Sequence, residues 1–188
     1  MTKNEIRKAA ENARNRLTPT AWQAGSRAIE KRLLASEYYQ NAETVLCYAS
    51  FRREVDTWGI LQKILDDGKR LLVPKTLADG IMLVIEIKTL DDLVPGRFGL
   101  REPASRLESD LCPDLVVVPG VAFSPQGDRV GFGKGYYDRS LSKYPAATRA
   151  ALCFEVQLFD DIPAEAFDMP MHYILTEKRE IVCPKGRG

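Results

Sequence analysis

Histidine is nearly missing from this chain: His172 is the one copy in 188 residues. The four cysteines, Cys47, Cys112, Cys153 and Cys183, are widely spaced and form no Cys-x-x-Cys pair. Neither a zinc cluster nor a paired redox motif is therefore spelled out, and buried free thiols in a reducing cytosol are expected. A Gly-x-Ser-x-Gly elbow is missing too, as is any paired Cys and His arrangement, so nothing argues for covalent catalysis. His172 has no recognisable base partner and reads as structural. Charge of one sign is not in excess: 27 Lys and Arg stand against 26 Asp and Glu. No global field then favours nucleic acid or membrane, and any anion site has to be local. No apolar run approaches the length of a membrane span, and Met1-Thr-Lys-Asn-Glu5 lacks the apolar core of a signal peptide. A cytoplasmic protein is expected, a monomer with no membrane or nucleic-acid partner. Repeats, low-complexity stretches and interdomain linkers are lacking as well. With 45% hydrophobic residues, residues 1–188 are expected to form one domain with a continuous core, the basic end from about 184 to 188 being a disordered tail.

What the chain does have is a glycine-rich basic stretch, Arg129-Val-Gly-Phe-Gly-Lys-Gly-Tyr-Tyr-Asp-Arg139. Glycines at 131, 133 and 135 leave the backbone free to take positive φ and expose N–H groups, while Arg129 and Lys134 add positive charge. That is chemistry for holding a polyphosphate. Upstream, Leu115-Val-Val-Val-Pro119 has the character of a strand buried in a parallel sheet; downstream, Tyr136 to Tyr144 lacks Gly and Pro and is expected to be helical. The loop thus feeds a helix N-terminus, which attracts anions. It is not a dinucleotide-binding Gly-x-Gly-x-x-Gly, because Tyr136 stands where the third glycine belongs, and not a Walker loop, because Gly135 follows Lys134 where Ser or Thr is required. A plain glycine-rich turn with exposed basic residues would look similar. Asp138, about one helical turn beyond the last glycine, could present a hard oxygen ligand to Mg²⁺ beside bound phosphates.

In chain order, Thr2-Lys3-Asn4-Glu5 fits a capping box, and Ile6, Ala9, Ala10, Ala13 and Leu17 recur at helical spacing. Lys3 and Arg7 share a face of that helix, either as an ordinary solvated face or as a phosphate clamp. Thr18-Pro19 starts a second amphipathic helix. Thr44 to Ser50 reads as a strand, Trp58 to Leu65 as a helix closed by Gly68, and Arg70 to Lys75 as a second strand, giving a β-α-β unit. Phe51 and Glu54 lie at the carboxyl end of its first strand, where open α/β sheets bind ligands. Further strands are expected at Ile81–Ile87, Arg149–Phe154 and Tyr173–Thr176, with a loop and short helix over Gln157 to Ala166. Asp91 to Cys112 has little periodicity and reads as a binding loop or lid, or as a surface loop. Strands and helices alternate throughout, so the class is α/β.

The block Pro119-Gly-Val-Ala-Phe123, followed by Arg129-x-Gly-x-Gly-Lys-Gly-Tyr-Tyr-Asp138, resembles the signature of the 5-formyltetrahydrofolate cyclo-ligase family. The likeness covers almost the whole chain: Lys3-x-x-x-Arg7, Glu54-Val-Asp-Thr57, Phe98-Gly-Leu-Arg-Glu-Pro103 and Phe167-Asp168 occur in the family's order. The resemblance implies a three-layer α/β/α fold with a mostly parallel sheet, akin to ribose-phosphate isomerase-like and CoA-transferase-like proteins. It implies that Lys3, Arg7, Arg129, the loop Gly131, Phe132, Gly133, Lys134 and Gly135, and Tyr136 and Tyr137 bind ATP, with Lys134, Arg129 and Tyr137 in the catalytic role. Asp138 and Asp168 would ligate Mg²⁺. Phe51, Glu54, Phe98 and Tyr136 would bind the folate, although family members often carry Trp or another aromatic near the Phe98 position.

The implied reaction is the ATP- and Mg²⁺-dependent closure of 5-formyltetrahydrofolate to 5,10-methenyltetrahydrofolate, releasing ADP and phosphate. Both nucleophiles belong to the substrate, so positioning and charge stabilisation suffice and no protein nucleophile is needed. Two rivals stay open at the level of sequence. One is a non-enzymatic folate or nucleotide sensor or carrier. The other is a sugar-phosphate isomerase or CoA-transferase-like activity, for which Glu54 is the one carboxylate placed near a strand end.

Overall fold

The computed structural model describes residues 1–96 and 99–184. Its helices are α1 (Lys3–Asn15), α2 (Pro19–Ala35), α3 (Glu37–Gln40), α4 (Trp58–Asp66) and α5 (Tyr136–Leu141). Its strands are β1 (Thr44–Cys47), β2 (Arg70–Thr76), β3 (Met82–Ile87), β4 (Leu93–Pro95), β5 (Arg101–Pro103), β6 (Leu115–Val118), β7 (Ala122–Phe123), β8 (Arg129–Val130), β9 (Thr148–Leu152), β10 (Tyr173–Leu175) and β11 (Glu180–Val182). Seven of them form one sheet in the order β11-β10-β9-β6-β1-β2-β3. The five inner strands pair in parallel, and β3 and β11 close the two edges antiparallel.

The apolar runs of β1 and β6 are buried at every position, as a sheet covered on both faces requires. On one face Val45, Cys47, Leu71 and Val117 pack against Ile29 and Leu33 of α2 and Ile60, Leu61 and Ile64 of α4. On the other, Leu46, Leu72, Val116 and Ala151 meet Leu141 of α5 together with Phe123 and Met171. The second cover is thus mostly irregular chain with one short helix. No helix among the described residues is long and apolar enough to cross a membrane.

The helix starts follow the local sequence. The Thr2 hydroxyl accepts from the Glu5 N–H at 3.2 Å, and a Glu5 carboxylate oxygen accepts from the Thr2 N–H at 2.7 Å, completing the expected capping box. Thr18 caps α2 with Pro19 in its first turn. The expected β-α-β unit is present, since β1 and β2 pair in parallel and α4 joins them.

Four details differ from expectation. The helix after the glycine loop ends at Leu141, not Tyr144. At six residues it has little macrodipole to offer. Over Gln157 to Ala166 the regular piece is one 3-10 turn, Glu155–Gln157, placed earlier than foreseen. The stretch from Asp91 to Cys112 is not featureless, because β4 and β5 pair as a small antiparallel ribbon within it. Cys112 is exposed, whereas Cys47, Cys153 and Cys183 are buried free thiols. Of the expected tail, 184–188, all but Pro184 lies outside the described residues.

Candidate active site

β1 has β2 on one side and β6 on the other; the chain runs outward from β1 to β2 and, in the opposite direction, from β6 through β9 to β10. That reversal is a topological switch point, and ligands bind beyond the strand carboxyl ends there. The loop after β1 carries Tyr48, Phe51 and Glu54, the turn after β6 is Pro119-Gly120, and the turn after β9 carries Gln157. Arg14, Tyr48, Glu54, Val55, Pro119, Gly120, Leu152 and Gln157 line one small cleft at this point.

The loop following β1 is held in shape by its own polar groups. Ser50 and Thr57 exchange backbone-to-hydroxyl hydrogen bonds of 2.9 and 3.0 Å, and the Thr57 hydroxyl donates to the Tyr48 carbonyl at 2.6 Å. Trp22 of α2 donates its indole N–H to the Glu54 carbonyl at 2.9 Å. Within the loop the Phe51 N–H donates to Glu54 Oε2 at 2.8 Å, and Arg52 between them has φ +54°. A non-glycine residue in that region is strained, and the surrounding bonds hold it there. Burial raises the Glu54 carboxyl above the ordinary range; the Phe51 N–H and the Arg14 guanidinium oppose the rise. A Cβ at Gly99 would lie 3.4 Å from the Phe51 ring, so the chain just after position 98 packs on Phe51. Phe98 itself lies outside the described residues.

The glycine loop is placed by the hairpin β7–β8 before it and by α1 beside it. Ile6 and Ala10 of α1 are buried against Val121, Ala122, Val130 and Ile162, and burying a side chain such as Ile6 stabilises by about 1.5–3 kcal/mol. That docking brings the polar face of α1 to the loop. Arg7 Nε donates to the Gly131 carbonyl at 3.0 Å. Lys3 Nζ donates to Asp168 Oδ2 at 2.7 Å and lies 3.6 Å from Glu165 Oε2. Lys3 and Arg7 are therefore not an ordinary solvated face. They tie the first helix to the loop and to the 165–168 turn.

Within the loop Gly133 and Gly135 take φ of +88° and +64°, which only glycine adopts without strain. Gly131 does not have positive φ; its need is space, since a Cβ there would lie 2.8 Å from Arg129 Nη1. Arg129 is almost fully buried. Its Nη2 donates to Asp138 Oδ1 at 2.8 Å, its Nη1 to the Pro119 carbonyl at 3.3 Å, and its Cζ sits 5.9 Å from the centre of the Tyr137 ring. Arg129 Nε and the Tyr137 hydroxyl are buried without a hydrogen-bond partner. Burial pushes the Tyr137 phenol well up, with Cys47 and Glu54 adding to the rise and Arg129 opposing it. Tyr136 donates its hydroxyl to the Leu77 carbonyl at 3.1 Å, fastening the loop to the end of β2. Phe132 and Lys134 are exposed. The Lys134 carbonyl accepts from Arg139 at 2.7 Å, while its ammonium has no hydrogen bond or ion pair among the described residues.

Asp138 and Asp168 are neighbours through the backbone, for the Met169 N–H reaches Asp138 Oδ1 at 3.4 Å. Each has one oxygen engaged: Oδ1 of Asp138 by Arg129, and Oδ2 of Asp168 by Lys3 and the Glu165 N–H. Among the described residues no group of three or more His, Cys, Asp or Glu could hold a metal ion. The pair nonetheless suits Mg²⁺ beside a nucleotide, which is commonly held by one or two carboxylates plus phosphate oxygens and waters. Sequence reading missed Arg14 and Gln157. Arg14 had a signal, because with Ile6 and Ala10 it stands in one i, i+4, i+8 row on the buried side of α1.

Comparison with known proteins gives the family. The profile of the 5-formyltetrahydrofolate cyclo-ligase family matches residues 1–177. A 5-formyltetrahydrofolate cyclo-ligase of Mycolicibacterium smegmatis is 34% identical, over 76% of this chain and 78% of that protein. A probable 5-formyltetrahydrofolate cyclo-ligase of Caenorhabditis elegans is 27% identical, over 96% and 95%. Among solved structures, an Aquifex aeolicus 5,10-methenyltetrahydrofolate synthetase superposes with a TM-score of 0.85 at 29% identity, covering 100% of this chain and 96% of that one. A Mycoplasma pneumoniae 5,10-methenyltetrahydrofolate synthetase shares the fold, with a TM-score of 0.76 at 21% identity. Matched by the profile from its first residue almost to its last, the chain belongs to the 5-formyltetrahydrofolate cyclo-ligase family, a family of ligase enzymes.

Proposed function

We propose that this chain converts 5-formyltetrahydrofolate to 5,10-methenyltetrahydrofolate, with ATP as co-substrate and Mg²⁺ as cofactor. The observation that carries the reading is that Lys3 and Arg7, the Gly131 to Gly135 loop, Arg129 and the Asp138/Asp168 pair are tied together, while the ammonium of Lys134 on that loop has no partner among the described residues. A polyphosphate needs such a cluster, and no cysteine or serine nucleophile with a histidine base partner stands beside it to argue for covalent group transfer among the described residues. On this reading Arg7 and Lys3 set the phosphate side of the loop, and Tyr136 and Tyr137 stand between nucleotide and folate. Phe51, Phe98 and Glu54 receive the pterin and formyl region.

The chemistry follows from the substrate. A formamide carbon is a poor electrophile and its oxygen a poor leaving group. The formyl oxygen attacks the γ-phosphorus and ADP departs. N10 of the same folate then attacks the formyl carbon and loses its proton, and the C–O bond breaks to release phosphate. Lys134 and Arg129 stabilise charge on the phosphoryl group in flight. Mg²⁺, held by Asp138 and Asp168 with phosphate oxygens, would neutralise further charge there.

The test is the absorbance of the methenyl chromophore on mixing the protein with 5-formyltetrahydrofolate, ATP and Mg²⁺. Growth that requires both ATP and Mg²⁺ supports the assignment. Folded protein that binds ATP or folate without forming product would replace it with a carrier or sensor role.

A further inference from the structure

Arg14 is the puzzle the reaction leaves over. It lies in the last turn of α1, is 8% exposed, and has a buried Nε with no hydrogen-bond partner among the described residues. No ion pair within 4 Å compensates it among the described residues. Such a charge is costly to bury unless something in the protein uses it. Across the cleft from it stands Glu54, which shares that lining with Tyr48 and Gln157. Gln157 is not free to answer Arg14: its Nε2 donates to the Gly120 and Val121 carbonyls and its Oε1 accepts from the Phe154 N–H.

We propose that Arg14 is a positioning residue that acts through Glu54, holding the Glu54 carboxylate charged and in place for the folate. The inference rests on the cyclo-ligase reading for its consequence in catalysis, though not for its electrostatics. Among the described residues Arg14 is the cation whose charge acts on Glu54; of the two arginines in the same loop, Arg53 donates to the Leu17 carbonyl and Arg52 lies over the Phe51 ring. Tyr48, on the loop after β1, and Tyr137, from α5, are neutral phenols whose protons burial holds far more tightly than usual, the Glu54 charge adding to that in both. Cys47 of β1, whose thiol burial raises, is likewise uncharged. Arg129 is committed to Asp138. Burial alone would favour a protonated Glu54, which loses the second acceptor oxygen that a pterin amide or amino group can use.

The experiment is a ¹³C titration of the Glu54 side-chain carboxyl, assigned by loss of its signal in Glu54→Gln, in the wild type, Arg14→Gln and Arg14→Lys. The Arg14 charge opposes the rise that burial imposes on Glu54, so the midpoint should rise in Arg14→Gln and rise less in Arg14→Lys. In parallel, the acid limb of kcat/KM for 5-formyltetrahydrofolate should move upward by the same amount, with the loss appearing in KM for folate and not in KM for ATP. A Glu54 midpoint unchanged in Arg14→Gln overturns the proposal. If Arg14→Gln does not fold, Arg14→Met, which keeps the apolar stem, supplies the neutral variant. Should the wild type make no methenyl product, the assigned reaction fails while the titration still decides the role of Arg14.

Discussion

The proposed metal role of Asp138 and its bond to Arg129 can be separated by a pair of substitutions. Its Oδ1 holds Arg129 Nη2 at 2.8 Å, and the two side chains are 22% and 5% exposed. Removing one partner of a fully buried pair costs about 3–5 kcal/mol. Here Asp138 is partly wet and Arg129 Nη1 keeps the Pro119 carbonyl, so Asp138→Ala should cost less, about 2 kcal/mol. Asp138→Asn keeps an oxygen for Arg129 and should cost about half of that. With an m-value of about 2 kcal/mol/M, the urea midpoint should fall by about 1 M for Ala and about 0.5 M for Asn. Turnover should behave differently: neither variant retains the carboxylate charge, so both should lose about 10²-fold and need more Mg²⁺ for half-maximal rate. Urea unfolding followed by fluorescence, and Mg²⁺ titration of the absorbance assay, measure the two effects. Wild-type unfolding of Asp138→Ala would refute the dependence of Arg129 on this partner. Full turnover at ordinary Mg²⁺ in either variant would remove the metal role.

Lys134→Ala should leave the urea midpoint within error, because the ammonium is exposed and without a partner, yet lower kcat by about 10²-fold; a change confined to KM for ATP would mean that Lys134 only binds. Gly120→Ala should lower stability by about 1–3 kcal/mol, since its Cβ would lie 2.4 Å from the buried Phe123 ring and 3.1 Å from Arg129 Cγ; an unchanged urea midpoint would contradict this. His172 accepts the Arg149 N–H on Nδ1 at 2.9 Å, and burial, with the Arg149 charge, lowers it below its ordinary 6.5. The unfolded chain then takes the proton more readily, so this contribution is complete above pH 6.5 and is lost as pH falls toward the depressed folded value. Urea midpoints from pH 7.5 down to pH 5 should show a slope that His172→Asn lacks; an equal slope in the variant would discount His172.

The parts of the fold legible in the sequence were those with a local cause. The Thr2 to Glu5 box, Thr18-Pro19 and the apolar runs of β1, β2 and β6 each declare themselves through capping chemistry or buried-strand composition. The glycine loop was legible because Gly133 and Gly135 take a backbone that other residues resist. The hairpin β7–β8, with strands of two residues each, and the edge strand β11 were not, because so few residues show no period. Lys3 and Arg7 looked like a solvated face until tertiary docking gave them Asp168 and Gly131 as partners. Arg14 declared its burial through the Ile6–Ala10 row, but not its neighbours Glu54 and Gln157, which lie far along the chain where no window around α1 reaches.

The bonds that fasten α1 also set a schedule for synthesis. Arg7 finds Gly131 124 positions later, and Lys3 finds Asp168 165 positions later. As the chain leaves the ribosome, α1 emerges before its packing partners and has to wait, its Ile6–Ala10 stripe uncovered, until Val121, Val130 and Ile162 follow. Loop closure over such separations is slow compared with forming the helix itself. The nascent chain therefore carries α1 uncovered until Val121 has followed it out of the tunnel, and completes the Lys3 tie only once Asp168 has emerged.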